Sequence, residues 1–260
     1  MKTQLDTILE HKQREVAQLR KQYTYSDFES MPYFSQPTRS LKKRLQASFG
    51  IIAELKRKSP SAGSISPHLV ISEQGKFYES AGAAGISCLT DTPFFGGSVD
   101  DLLLLRECVS IPILRKEFII DELQLFQSKA IGADAVLLIA EALEKEQALH
   151  LTIIAQSLGL EVIMECHDAK QYQKINELVD IIGINNRNLQ LQRTTLQTSK
   201  ALIQQVPEHR ICISESGIST KEELNELRSL GFHGALIGES ILKHSNPSAF
   251  IQSLTTSAVC

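Results

Sequence analysis

No stretch of this 260-residue chain is long and apolar enough to span a membrane; none approaches the ~20 residues a bilayer requires. The amino-terminal 22 residues are charged and helical in pattern, without the apolar centre of a secretion signal. The expected location is therefore the cytoplasm. An excess of positive charge is also missing. Lys and Arg number 27 against 30 Asp and Glu, for a formal net charge of -3. That balance argues against a nucleic-acid partner and leaves space only for a local basic pocket around a small anion. The five cysteines (Cys88, Cys108, Cys166, Cys212 and Cys260) include no pair at metal-ligand spacing. No metal is expected. Cys88, Cys166 and Cys212 lie in or just after apolar runs and read as buried, inert thiols, a nucleophilic Cys166 being the alternative. No G-x-G-x-x-G follows the first apolar run, which counts against a doubly wound dinucleotide fold. Neither low-complexity sequence nor a second domain is visible.

What the chain does have is a rhythm. Short, nearly continuous apolar runs fall at 51–56, 86–90, 111–115, 134–139, 160–165, 180–184, 210–214 and 234–238. Strands buried on both faces read this way. Amphipathic stretches of helical length alternate with them, near 70–83, 98–109, 121–131, 143–158, 168–177, 195–205, 219–230 and 246–256. Ser98 is placed to cap one helix, and Ser219 with Glu222 has the spacing of a capping box on another. Gly82, Gly132, Gly159 and Gly231 sit where helix-ending glycines belong. Eight such units in about 210 residues predict an α/β fold, a closed (β/α)8 TIM barrel. Residues 1–46, with a helix near 3–21, a connector bearing Pro32 and Pro37, and a helical turn at 39–46, form an N-terminal helical extension. The division expected is a single domain in which residues 1–46 cap a barrel of residues 47–260.

Several runs end in polar residues. In Ile-Ile-Ala-Glu-Leu-Lys-Arg-Lys-Ser-Pro-Ser (51–61), Glu54 and Lys56 are two apart and so share one side of a strand. The other ends carry Lys116, Glu165, Asn185 with Arg187, and Glu215 with Ser216. In a barrel these ends meet at the catalytic face. Two lysines, three glutamates and an arginine converging there would shift one another's pKa values enough to provide acids and bases near neutrality. Gly217 and Gly238, after the last two strands, suit a phosphate held by backbone N–H groups. Phe94 and Phe95, in a loop, and Phe118 read as walls for a planar apolar ligand. The Pro60–Ser64 loop reads as a lid.

Taken in order, Glu-Leu-Lys-Arg-Lys-Ser-Pro-Ser (54–61), Phe-Phe-Gly-Gly-Ser (94–98), Leu-Arg-Lys-Glu-Phe-Ile-Ile-Asp (114–121), Ala-Asp-Ala-Val-Leu-Leu-Ile (133–139), Ile-Gly-Ile-Asn-Asn-Arg-Asn-Leu (182–189) and Ser-Glu-Ser-Gly-Ile (214–218) resemble the indole-3-glycerol phosphate synthase family along essentially the whole chain. The resemblance implies closure of 1-(2-carboxyphenylamino)-1-deoxyribulose 5-phosphate to an indole, with loss of carbon dioxide and water, in tryptophan biosynthesis. The implied partner is thus a small sugar phosphate bearing an anthranilate group, with no cofactor. A monomer is expected, since nothing in the sequence demands more.

The resemblance also implies roles. Lys116 matches the general acid and Glu165 the base. Lys56 matches a lysine near the substrate carboxylate and phosphate, implicated in proton transfer. Glu54 matches a glutamate orienting the lysines. Asn185 and Arg187 match residues holding the anthranilate and the intermediate, and Glu215 and Ser216 match the pocket wall. Gly217, Gly238 and Glu239 match the phosphate site. Ser59, Phe94, Phe95, Phe118 and Leu189 match the aromatic pocket. Asn188 stands where the family often has Asp, which removes no group the reaction needs. A sister isomerase would require a Cys and Asp pair where this chain has Glu54 and Lys116, and a pure phosphate binder would have no use for an oriented acid.

Overall fold

Side-chain parity along the strands decides what faces the centre. Ile52, Leu114, Ile163, Ile181, Ile211, Ile213 and Leu236 gather in one buried apolar cluster. Their neighbours Ile51, Ala53, Ile113, Val162, Met164, Ile182, Cys212 and Ile237 belong to a second. Alternation at a period of two sends the first set into a lumen and the second against surrounding helices.

A computed structural model describes residues 2–60, 62–188, 193–244 and 247–255. Eight strands form the barrel: β1 (Gly50–Leu55), β2 (Gly85–Leu89), β3 (Ile113–Lys116), β4 (Ala135–Ile139), β5 (Glu161–Cys166), β6 (Ile181–Asn185), β7 (Ile211–Glu215) and β8 (Gly234–Ile237). They are parallel and neighbour one another in chain order, and β8 closes onto β1 with Gly50 opposite Gly234. Closure removes both sheet edges. Barrel helices follow at Ile71–Ser80, Val99–Cys108, Glu122–Ala130, Lys145–Ser157, Gln197–Ile203, Lys221–Ser229 and Pro247–Thr255. Gly82, Gly132, Gly159 and Gly231 all take positive φ at the turns into the next strands. Ser98 caps its helix by accepting from the Asp101 N–H.

The sequence reading needs three local corrections. The capping box is Thr220 with Glu223, one residue beyond the expected pair. The expected helix at 168–177 is a 3-10 helix at Ala169–Lys174. Ala169 and Tyr172 of this helix, and Ile175 capping its end, pack on the core, a spacing of three that matches the tighter helix. Phe94 and Phe95 lie in a short helix, Thr92–Phe95, because Asp91 accepts from both of their N–H groups.

Three helices precede the barrel: α1 (Gln4–Gln22), α2 (Tyr25–Glu29) and α3 (Leu41–Ala47). Leu5 and Ile8 of α1 join the lumen cluster together with Phe118 and Ile139, at the ends of β3 and β4. α1 therefore lies across the C-terminal mouth. Phe28 of α2 packs with Leu123 and Ala130 of the helix after β3. α3 sits at the opposite end. A methyl group on Gly50 or Gly234 would lie 2.9 or 2.8 Å from Leu45 Cδ2, and one on Gly85 2.9 Å from Leu41 Cδ1. Leu41 and Leu45 thus seal the floor against strand starts stripped of side chains. The Arg39 N–H donates to Asp134 Oδ1 at 2.7 Å and the Lys42 N–H to Glu161 Oε2 at 2.9 Å, fastening the connector and the start of α3 to the starts of β4 and β5.

Candidate active site

The lumen-facing parity that places Ile52, Leu114, Ile163, Ile181, Ile213 and Leu236 inward also places Glu54, Lys116, Glu165, Asn185, Glu215 and Gly238 inward, two residues further along each strand or four in the case of β6. Apolar layers fill the lower lumen and the chemistry caps it. One cavity at the mouth is lined by Glu54, Lys56, Ser59, Phe95, Lys116, Phe118, Glu165, Asn185, Arg187, Glu215, Ser216, Gly217, Gly238 and Glu239. Most side chains singled out in the sequence are thus brought together. Two are not. Phe94 does not line the cavity: successive helical residues point about 100° apart, so Phe95 faces inward while Phe94 meets the His11 ring of α1 edge-on at 5.8 Å. Leu189 lies outside the described residues.

Lys116 is the hub. Its Nζ donates to Glu165 Oε2 at 2.7 Å and to Glu215 Oε2 at 3.1 Å. Burial works against the ammonium, yet the carboxylates of Glu165, Glu215 and Glu54 outweigh it and hold the pKa above its usual value. The two carboxylates then diverge. Burial favours the neutral form of each. For Glu165 it is outweighed by Lys116 and by hydrogen bonds from Lys116 and Asn185, so its pKa stays below the usual carboxylate range. The Asn185 amide donates to Glu165 Oε1 at 3.0 Å. For Glu215, burial prevails with help from the nearby Glu165 charge, and the pKa is pushed up to about 7. Like charges sharing one ammonium separate in this way. The trio therefore contains a firm cation, a firm anion and one group poised near neutrality.

Across the mouth, Lys56 donates to Glu54 Oε1. Gly238 makes room for that pair, since a Cβ there would lie 2.5 Å from Glu54 Oε1. Asn186, one residue past Asn185, points the other way and donates to Ser214 Oγ, the Glu215 carbonyl and the Ser216 carbonyl. It pins the end of β7, where Ser216 and Gly217 take φ values of 68° and 72°. Around the expected loop, of which Ser61 lies outside the described residues, Lys58–Ser59 and Gly63–Ser64 pair as a small antiparallel ribbon. The ribbon is moored below by Arg57, whose guanidinium pairs with Asp101 at 2.6 Å. The Phe95 and Phe118 rings lie 6.0 Å apart and form an aromatic side to the cavity. Cys166 is buried, and burial pushes its thiol pKa up, which disfavours a thiolate nucleophile. Among the described residues, no group of three or more His, Cys, Asp or Glu is placed to hold a metal ion.

Two features of the site went unread in the sequence. Gly183 lies inside β6, and a Cβ there would sit 2.3 Å from Glu215 Oε1 and 3.2 Å from Ile163 Cγ2. A glycine interrupting an apolar strand is the signal for such a close approach. Gly183→Ala is expected to drive Glu215 off Lys116, to cost about 1–3 kcal/mol through overpacking and to suppress turnover. Thermal unfolding and initial rates check this; unchanged rates would show that Glu215 has another productive rotamer. The second feature is Lys12, only 2% exposed. The buried residues of α1 are Leu5, Ile8, Lys12 and Val16, so a lysine occupies the apolar stripe.

Comparison with known proteins agrees with this geometry. Residues 5–254 match the family model described as "Indole-3-glycerol phosphate synthase". A protein of that name from Bacteroides thetaiotaomicron is 48% identical over 216 residues, covering 83% of each chain. One from Neisseria meningitidis is 40% identical over 257 residues, covering 96% of this chain and 98% of its own. One from Bacillus cereus is 41% identical over 254 residues, covering 97% and 98%. Among solved structures, 3-hexulose-6-phosphate synthase from Salmonella typhimurium superposes with a TM-score of 0.62 at 16% identity, covering 79% of this chain and 96% of that one. The tryptophan synthase alpha subunit from Legionella pneumophila does so with a TM-score of 0.60 at 17% identity, covering 82% and 96%. At such identities these two speak for the barrel alone. The family match over nearly the full length, joined to the lysine–glutamate cluster at the barrel mouth, places the chain in the indole-3-glycerol phosphate synthase family.

Proposed function

We propose that Lys116, Glu165, Lys56 and Glu54 divide the proton transfers of the family's reaction among them. The chain is a carboxy-lyase of tryptophan biosynthesis that forms indole-3-glycerol phosphate. Its substrate under this reading is 1-(2-carboxyphenylamino)-1-deoxyribulose 5-phosphate. The observation that carries the role assignment is the Lys116 ammonium held between Glu165 and Glu215 at the end of the lumen.

In the first step the ring carbon bearing the carboxylate attacks the ketone carbon. The ketone oxygen takes a proton from Lys116, and carbon dioxide leaves to restore the aromatic ring. In the second step the new hydroxyl departs as water after protonation by a lysine. A base removes a proton from the neighbouring methylene, and that C–H electron pair becomes the indole double bond. Glu165, ionised and aimed by Lys116 and Asn185, is that base. Lys56 is oriented by Glu54 and stands near the substrate carboxylate and phosphate. Arg187 and Asn185 hold the anthranilate and the intermediate. The backbone N–H groups at Gly217, Gly238 and Glu239 receive the phosphate, with Ser216 and Glu215 as the adjoining wall. Phe95, Phe118 and Ser59 enclose the aromatic ring. No described helix is long and apolar enough to cross a membrane. A cytoplasmic monomer, with residues 1–46 capping a barrel of residues 47–260, fits this reading.

The test is indole fluorescence on mixing the chain with this substrate without added metal. A signal abolished by Lys116→Ala supports the assignment, and saturable binding without signal overturns it. A pH dependence follows from Glu215. Below about 7 its carboxyl is neutral, and above that it carries charge. The Lys116–Glu165–Glu215 trio then passes from no net charge to one negative charge. KM for the anionic substrate is expected to rise as pH increases through this range, and Glu215→Gln is expected to flatten the step. A step that survives the substitution would assign it elsewhere, such as to the substrate phosphate.

A further inference from the structure

A buried ammonium requires compensation, and Lys12 finds it in three carboxylates. Its Nζ lies 2.6 Å from Glu15 Oε2, 2.9 Å from Asp91 Oδ2 and 3.0 Å from Glu117 Oε1. Glu15 is half-buried, whereas Asp91 and Glu117 are buried at the ends of β2 and β3. Both of these reach the cavity wall. Asp91 Oδ1 accepts from the N–H groups of Phe94 and Phe95 at 2.7 and 3.1 Å. Glu117 directly follows Lys116; its Oε1 accepts from the Phe118 N–H at 2.8 Å and its Oε2 from the Thr90 hydroxyl at 2.7 Å. One ammonium on α1 therefore joins the strand end carrying Lys116 to the short helix carrying Phe95.

We propose that Lys12 is a positioning residue for the reaction: by bridging Asp91 and Glu117 it sets Phe95, Phe118 and Lys116 in register with the substrate. The inference rests on the pocket reading given above. Docking of α1 does not itself require this lysine. The helix is held by Leu5 and Ile8 in the lumen cluster and by Arg20, whose guanidinium pairs with Asp121 at 2.9 Å. A buried ion pair adds little net stability over an apolar replacement, so the charge serves geometry. Without it, two buried carboxylates face each other's surroundings with Arg115 as the remaining nearby cation, its Nη2 4.0 Å from Glu117 Oε2. A cavity bordered by Thr90, Arg115, Glu117 and Gln124 gives Glu117 space to shift.

The experiment compares full-length wild type, Lys12→Met, Lys12→Arg and Arg20→Met. Lys12→Met is expected to lower kcat/KM by about 10–100-fold, the scale of a misplacement near 1 Å, mainly through KM. Amide exchange at Phe94, Phe95 and Phe118 should accelerate by about tenfold as their acceptors loosen. Lys12→Arg should recover much of both, and Arg20→Met should lower the melting temperature with kcat/KM near wild type. Equal losses of activity in Lys12→Met and Arg20→Met, or a loss of stability alone in Lys12→Met, would overturn the proposal. Should Lys12→Met not fold, Asp91→Asn keeps the acceptor for Phe94 and Phe95 but turns an NH2 toward Lys12. The same rise in KM is then expected, and an unchanged KM overturns the proposal. Amide exchange reads the bridge without turnover, so an inactive wild type would count against the pocket reading and leave this one separately decided.

Discussion

Lys116→Ala is expected to reduce kcat by at least ~100-fold, the lower range for loss of a general acid, or about 2.7 kcal/mol of barrier. The loss extends beyond the missing proton. Lys116 is the cation that holds Glu165 ionised against burial. Remove it, and burial pushes the carboxyls of Glu165 and Glu215 upward until both are protonated. The variant then lacks its acid and has neutralised its base at neutral pH. Neutral carboxyls also let the variant fold, because no isolated charge is left buried. Single-turnover measurements by indole fluorescence, with circular dichroism as the folding control, decide the matter. Turnover near wild type in a folded variant would move the acid role to Lys56.

Glu165→Gln is expected to be nearly as damaging to kcat, by about 100-fold or more for a general base, with little change in KM. The geometry explains the split. The Gln carbonyl oxygen can still accept from the Asn185 amide, which now donates at 3.0 Å to Glu165 Oε1. Lys116 retains Glu215 at 3.1 Å. Binding groups therefore stay in place while the proton acceptor is lost. A pure KM effect would contradict the base assignment. A second signature accompanies the first. Glu165 is one of the charges that raise Glu215, so the inflection near neutrality should move to lower pH in the variant.

Much of this was legible in the sequence because the barrel writes one pattern eight times. A run such as Ile211–Glu215 shows its lumen face in every second residue, and the polar residue continuing that parity points to the mouth. Glu54, Lys116, Glu165 and Glu215 could be placed on that ground alone. Asn185 and Asn186 show the rule discriminating: one binds Glu165 in the lumen, and the other turns outward to brace β7. What stayed hidden depends on contacts remote in sequence. Gly183 matters because Glu215 lies over it from the next strand. The orientation of Phe94 depends on the Asp91 cap and on a ring from α1. Lys12 looked like one more charge on a surface helix until its face was seen to be the buried one. The 3-10 turn at Ala169–Lys174 shows its period of three only once the packed residues are known.

The floor of the barrel has a consequence for how the chain is made. Leu41 and Leu45 leave the ribosome early, yet Leu45 finds part of its seat at Gly234, about 190 residues later in a chain elongated at roughly 5–20 residues per second. For on the order of ten seconds or more at that pace, α3 waits for the last strand. The final stitching of β8 to β1 and the seating of α3 are then coupled in time. A nascent chain halted before Gly234 leaves Leu45 without that part of its seat.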